Sequence, residues 1–274
     1  MKPAPVPVSG FMLTCNNRRT VERALASMAW ADDLVVVDSG STDGTIEAAR
    51  RAGARILHRD WTNFREQYQF ALDQCRRDWC FFLDADEELA PGLAAEMRQA
   101  LAENADRPAA EQLRAWHIHR QTWFLGRWIR HGAWTPASDR EIRLCDRRHA
   151  RFLGGLHACL RTEGRTATLR GLVNHYSFAD LSALIQKMDL YTSTDARDAQ
   201  AAGRRFSLPK LILGPPARFL RDYLLKAGFR DGLPGLAIAV QAAFHVFLKH
   251  AKLWELELAG TIHHHPPPPP PAGD

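Results

Sequence analysis

The sequence predicts an α/β fold: a doubly wound, mostly parallel sheet with helices on both faces, followed by a helical C-terminal extension. Three observations lead there. Short unbroken apolar runs at residues 34–37 and 79–83 lie between segments of helical period, as strands buried on both faces of a parallel sheet do. Strand and helix patterns alternate in βαβα order over residues 7–104. From Leu181 onward the pattern is helical. The expected division is an α/β domain over 1–180, a basic helical extension over 181–258 and a His/Pro-rich tail over 259–274.

Residues 6–14 read as the first strand, and residues 18–28 as a helix with Val21, Leu25 and Met28 on one face. The second strand is Leu34-Val35-Val36-Val37, followed by a helix near 45–52 and a strand at 54–58. In the next helix Phe64, Tyr68, Ala71, Leu72 and Cys75 repeat with a period of about 3.6 residues. Asn63, three residues before Glu66, is placed to cap its start. Trp79-Cys80-Phe81-Phe82-Leu83 is a further strand. Pro91 then suits a first helical position, with Leu93, Met97 and Leu101 turned inward. Residues 115–120 alternate as a strand, whereas 121–176 mix short strand-like pieces with Arg, Trp and His. The tail, three histidines and six prolines, has the composition of an extended or unstructured segment.

Two of the strands end in acid: 34–37 runs into Asp38, and 79–83 into Asp84-Ala85-Asp86. Parallel strands finish on one edge, where open α/β sheets bind ligands. Asp38, Asp84 and Asp86 are therefore expected in one crevice. There they repel one another unless a hard divalent cation joins them and holds a phosphate-bearing substrate. Asp38-Ser39-Gly40-Ser41-Thr42-Asp43-Gly44-Thr45 leads into a helix, with Asp43 as its expected N-cap. It matches neither G-x-G-x-x-G nor a P-loop, which argues against dinucleotide binding and P-loop ATPase chemistry. Glu87 and Glu88 read as acids favouring a helix N-terminus.

The five cysteines are scattered and form no C-x-x-C pair, so most read as buried thiols rather than a disulfide framework or zinc site. The start is proline-broken and too short in apolar run for a secretory signal. No stretch reaches 18 uninterrupted apolar residues; residues 233–248 come nearest, interrupted by Pro234, Gln241 and His245. The expected location is cytoplasmic.

Taken together, these motifs resemble the family-2 glycosyltransferases of the GT-A fold, above all the bacterial lipopolysaccharide-core type. The matching residues are Leu13-Thr14-Cys15-Asn16-Asn17, residues 35–45, Phe64-Arg65-Glu66-Gln67-Tyr68 and Leu83-Asp84-Ala85-Asp86-Glu87. Downstream they are Arg143-Leu144-Cys145-Asp146-Arg147-Arg148, Leu156-His157, Asn174-His175-Tyr176, Phe229-Arg230-Asp231-Gly232 and Lys252-Leu253-Trp254-Glu255. The likeness spans roughly residues 8–258. It implies inverting transfer of a sugar from a nucleotide-diphosphate donor, UDP-linked, to a lipid-linked saccharide acceptor. By the same resemblance, Thr14, Asn16 and Asp38 line the nucleotide pocket, Arg65 or Gln67 faces the cleft, and Asp84 approaches the ribose. Asp86, with Asp84 beside it, ligates Mg²⁺ or Mn²⁺. One departure stands out: where the related pattern carries a glutamate after Leu156-His157, a candidate general base, this chain has Ala158. His157, Glu163, Asp139 and Glu141 are the substitutes. His157 and His175 read equally well as structural histidines. The alternatives are a GT-A-like nucleotidyltransferase, whose basic Gly-rich loop is missing after strand one, and a catalytically silent nucleotide-sugar-binding protein, motivated by Ala158.

The net charge is only +5, but between Arg204 and Lys252 nine Lys/Arg face just Asp222 and Asp231. Phe219, Leu220, Tyr223 and Leu224 form an apolar stripe flanked by Arg218, Arg221 and Lys226, and residues 236–248 are apolar nearly all round. A cationic amphipathic segment of this kind suits peripheral attachment to an anionic membrane surface, here the inner face of the cytoplasmic membrane. The alternative is a packed helical appendage with a solvated basic face. Nucleic acid fits less well, since no reading motif is present and the aromatics sit in apolar faces.

Overall fold

Strand β1 (Val8–Thr14) is followed by α1 (Val21–Met28), β2 (Asp33–Asp38), α2 (Thr45–Arg51), β3 (Arg55–His58), α3 (Phe64–Asp73) and β4 (Trp79–Phe82). These are the elements of the βαβα reading, displaced by a few residues at their ends. In this computed structural model residues 5–154, 158–178 and 180–262 are described. His157 and the His/Pro tail from residue 263 lie outside them.

Apolar runs without alternation are explained by the two faces of the sheet. Met12, Val36 and Phe81 point into a core closed by α1, α2 and α4 (Leu93–Ala105), with Leu25, Met28, Ala48 and Met97. Their strand neighbours Phe11, Val35, Val37, Cys80 and Phe82 point the other way, into a core with Tyr68, Ala71 and Leu72 of α3. Cys75, Cys80 and Cys145 are buried free thiols. Asn63 caps α3 as expected, its side chain accepting from the Glu66 N–H at 3.0 Å.

The second half is more strand-rich than the sequence pattern indicates. Where a helix approach was expected, β5 (Glu87–Leu89) forms, and α4 starts at Leu93 rather than Pro91, behind Gly92 with a left-handed φ of 88°. Residues 121–176 are not short pieces alone. After β6 (Leu113–Phe124) and the two-residue β7 (Arg127–Trp128) come β8 (Arg140–Asp146), a hairpin of β9 (Ala150–Leu153) with β10 (Cys159–Thr162), and the eleven-residue β11 (Arg165–His175). The main sheet runs β3-β2-β1-β4-β8-β6-β11-β5. Its β3–β2–β1–β4 half is parallel, as is the β6–β11 pair, whereas β8 is antiparallel to both neighbours and β5 to β11. The sheet is therefore mixed beyond β4.

Because β8 reverses direction against both β4 and β6, strands β1, β2, β4, β6 and β11 all run the same way. Their carboxyl ends share one rim. Thr14 pairs with Asp38 there, Asp84 follows β4, and His175 closes β11 opposite Glu87. The opposite rim is clamped by Asp33, whose carboxylate takes the Arg55 guanidinium at 2.9 Å and the Ser9 hydroxyl at 2.8 Å. Burial opposes the charge on Asp33, but these donors outweigh it and hold the carboxyl below its ordinary range.

The chain forms two compact units, one of Met1–Trp123 with Pro136–Ser177 and one of Phe124–Thr135 with Phe178–Asp274. The second contains α5 (Leu181–Ala201), α6 (Leu208–Leu220) and α7 (Gly232–Ile262). Around Asp231 this unit is pinned: the buried carboxylate accepts the backbone N–H groups of Arg130 and His131 at 3.0 and 2.7 Å.

Candidate functional site

Two loops at the ends of neighbouring strands are sewn together by the residues the sequence singles out. Asn16, itself at φ 55°, accepts the Thr42 N–H at 2.8 Å and donates its own N–H to Ser41 Oγ at 2.9 Å. The Asn17 N–H donates to Thr45 Oγ1 at 2.9 Å, and the Thr14 hydroxyl to Asn17 Oδ1 at 3.0 Å. Asp38, buried at the strand end, accepts the N–H groups of Gly40 and Ser41 at 2.8 and 2.9 Å and the Ser41 hydroxyl. Three of roughly four carboxylate acceptor positions are thereby used, leaving one on Oδ1. Gly40 and Gly44 have φ of 101° and 87°, which side chains with a Cβ rarely adopt, so the turn needs both glycines. Gly44 takes the N-cap position, and Asp43, one residue earlier than a true cap, accepts the N–H groups of Arg18 and Thr45.

Gln67 is buried beneath this loop rather than turned to the cleft. Its amide donates to the Asp60 carbonyl at 2.8 Å and lies 3.4 Å from Ser39 Oγ, while its Oε1 is buried without a partner. It acts as a brace between the β3–α3 connection and the Asp38 loop. Arg65 is exposed and pairs with Glu66 at 3.4 Å.

Across β1, Asp84 and Asp86 stand on the same rim as Asp38 but not around one ion with it. Strands β2 and β4 flank β1, so their ends are about 10 Å apart, and among the described residues no group of three or more His, Cys, Asp or Glu is arranged to hold a metal. The expectation that one cation joins all three aspartates is corrected: only the β4 pair remains for it. Asp86 Oδ2 lies 3.6 Å from His175 Nε2. Asp84 accepts from the Tyr68 hydroxyl, and its N–H donates to Glu87 Oε2 at 3.0 Å.

The centre of this network is Glu87, which the sequence reading assigned only to a helix terminus. Its side chain is fully buried, accepting from Arg143 Nη2 and Arg120 Nη1 at 2.9 Å each. Arg143 is itself buried, stacked 4.5 Å over the Phe82 ring, 3.3 Å from Glu141 and 3.8 Å from Asp84. Burial works against its charge, yet Glu87, Glu141 and Asp84 hold its pKa above the ordinary value. The Asp84 carboxyl is pushed up by burial first and by the charge of Glu87 next, with Asp86 adding to it. Burial and Asp84 push the Tyr68 phenol up as well. Sequence signals for both missed residues existed. Ala85, Glu87 and Leu89 alternate inward, so an acid in that register needs a buried cation, and a tyrosine on the apolar face of α3 needs a partner for its hydroxyl.

A carboxyl raised above its unfolded-state value, 3.8 for Asp84, contributes its full stability below that value and loses it as pH rises through the folded-state value. Asp84→Asn is therefore expected to raise Tm at neutral pH in metal-free buffer by a few degrees. The gap should close toward acid pH, where Asp84 is protonated. A lower or equal Tm at neutral pH contradicts this reading of the site.

Of the substitutes for the missing glutamate, Glu163 is ruled out by topology. It sits two residues before β11, whose far end carries His175, so the strand's length of roughly 30 Å separates it from the rim. Asp139 and Glu141 stay at the site. Asp139 is held by Arg120 at 2.9 Å, while Glu141 is 46% exposed beside Arg143.

The model of the family described as Glycosyl transferase family 2 matches residues 9–161. Among curated proteins, the chain is 31% identical over 261 residues to the lipopolysaccharide core biosynthesis glycosyltransferase LpsC of Rhizobium meliloti, covering 91% of this chain and 93% of that one. It is 29% identical over 263 residues to an uncharacterized glycosyltransferase of Rickettsia typhi, covering 92% and 88%. Among solved structures, the glucosyl-3-phosphoglycerate synthase of Mycobacterium tuberculosis in complex with Mn²⁺ and UDP-glucose is 21% identical, with a TM-score of 0.34 over 43% of this chain and 44% of that chain. S. aureus TarS is 20% identical, with a TM-score of 0.36 over 44% and 22%. Likeness at that level carries no argument about ligands.

Proposed function

From the premise that this chain belongs to glycosyl transferase family 2, we propose that it moves a sugar from a UDP-linked donor, with inversion, to a lipid-linked saccharide in cell-envelope glycan synthesis. The single observation that carries the reading is the shared rim: laced loops with Thr14, Asn16 and Asp38 on one side of β1, and Asp84 with Asp86 on the other. The lipopolysaccharide role of the Rhizobium relative supports the acceptor class.

The residues present fit a hard divalent cation. Asp84 and Asp86 stand together after β4, where burial first and the charge of Glu87 next, with Asp86 adding to them, raise the Asp84 carboxyl. Two carboxylates with substrate phosphates are a usual Mg²⁺ or Mn²⁺ environment. Asp86, with Asp84 beside it, would hold the ion. When bound, it neutralises charge developing on the departing diphosphate.

The chain's own residues supply the rest. The Asp38 loop seats the nucleoside, and the Glu87–Arg143–Arg120 network fixes Asp84 from below. In the displacement, the acceptor hydroxyl oxygen attacks the anomeric carbon, the bond to the diphosphate breaks, and the electron pair leaves with the diphosphate. Glu141 takes the hydroxyl proton, being more open than Asp139, the other candidate base at the site.

The test is release of UDP and formation of product by purified protein with Mn²⁺, a panel of UDP-sugars and lipid-linked acceptors extracted from membranes. Glu141→Gln is expected to lower kcat by about 10²–10⁴ with little change in donor KM. Donor binding without turnover on any acceptor would favour the catalytically silent reading, and a retained anomer would refute inversion.

A further inference from the structure

Helix α6 is rich in leucine, yet none of its thirteen residues is buried. At about 100° per residue, Ile212, Leu213, Pro216 and Leu220 fall on one arc, all exposed, with Leu213 64% open. The π-helical turn that follows, Arg221–Leu225, adds Leu224 and Leu225, the latter 83% open. Between α6 and α7 lies a groove of about 650 Å³ lined by Pro215, Phe219, Leu220, Val240, Phe244 and Phe247.

Helix α7 divides into two faces. Leu233, Val240, Phe244 and Phe247 lie within an arc of about 60° and are all exposed. The opposite face is tied to α5: His245 Nε2 is 3.0 Å from Asp195 Oδ2, and Lys252 Nζ donates to Asp189 Oδ1 at 2.6 Å and Thr192 Oγ1 at 2.9 Å. Leu253 packs with Ala196 and Ala199 on that side. Over Gly228–Leu258 this helix is long and apolar enough to cross a bilayer, but crossing would carry those polar ties into hydrocarbon, where each unsatisfied group is costly. Lying along the surface keeps them in water.

Cations lie close in sequence to the open residues. Arg218, Arg221 and Lys226 share the one buried carboxylate of Asp222, a surplus of positive charge. Lys210 and Arg230 add exposed cations next to Ile212 and Phe229. An apolar face with cations close to it in sequence is complementary to a leaflet with acyl chains below anionic headgroups.

We propose that α6, the turn after it and the open side of α7 form a docking face for an anionic bilayer. The apolar side chains enter the acyl boundary, and Lys210, Arg221, Lys226 and Arg230 meet the headgroups. The inference deepens the lipid-linked acceptor reading and rests on it for its purpose. Its occupant is the membrane, and the rival occupant of the same face is a second copy of this chain.

The test is flotation of the full chain with phosphatidylcholine vesicles containing or lacking phosphatidylglycerol, at low and high salt. Wild type is expected to float with the anionic vesicles and to lose at least about tenfold in partitioning on neutral vesicles or at high salt. The double variant Leu213→Glu with Leu220→Glu should lose it on all vesicles while keeping wild-type Tm and UDP binding. Lys210→Glu, a surface change, should weaken anionic binding alone. No flotation of wild type, equal flotation of the double variant, or a stable dimer that the double variant dissolves would overturn the proposal. UDP binding measured on the same samples separates failure of this face from failure of the glycosyltransferase site.

Discussion

Replacing Glu87 with alanine is expected to cost about 3–5 kcal/mol of stability, because it leaves buried charge without its counter-ion. Glu87 serves the Arg143 and Arg120 guanidinium groups at 2.9 Å and the Asp84 N–H at 3.0 Å. Without it, Arg143 keeps Glu141 and the more distant Asp84 as ion-pair partners among the described residues, and Arg120 keeps Asp139. Glu87→Gln preserves shape and should fall between wild type and alanine. The site should suffer with the fold, since Glu87 also orders the backbone at Asp84. Urea unfolding monitored by circular dichroism measures the loss, and a change below about 1 kcal/mol, the surface-pair range, would mean the network is not the support described.

Asp86→Ala is expected to lower kcat/KM by about 10²–10³, the range for losing one electrostatic element of a charge-stabilising site. Its effect on stability should be small, because Asp86 sits at the rim rather than in the core. The loss should appear chiefly in the Mn²⁺-dependent part of donor binding. That pattern differs from Glu87→Ala, whose damage is thermodynamic first. Near-native, metal-dependent donor affinity in the Asp86 variant would remove the metal assignment.

The parallel half of the fold was legible because its strands are buried on both faces and its helices keep their period. Val35, Val36 and Val37 leave no room for a helical reading, and Asn63 announces the start of α3. The loop around Asp38 was legible for the same local reason: Gly40, Gly44 and the acids and hydroxyls between them have few other uses. The mixed half was not. Strand β8 carries Arg143, whose burial is made tolerable by a partner distant in the chain, Glu87, 56 residues apart. Period and propensity do not register such pairs. Strand β5 is three residues long, two of them glutamates, and looks like a helix approach until β11 is placed beside it. Glu163 shows the same limit from the other side. The sequence offers it among the substitute bases, but the direction of β11 carries it to the far rim.

The most direct measurement is a crystal structure of the protein soaked with UDP-sugar and Mn²⁺. The account predicts the nucleoside against the Thr14–Asn17 and Asp38–Thr45 loops, with the ion between the diphosphate and Asp86. A nucleotide bound away from this rim, or an ion with no contact to Asp84 or Asp86, would contradict it.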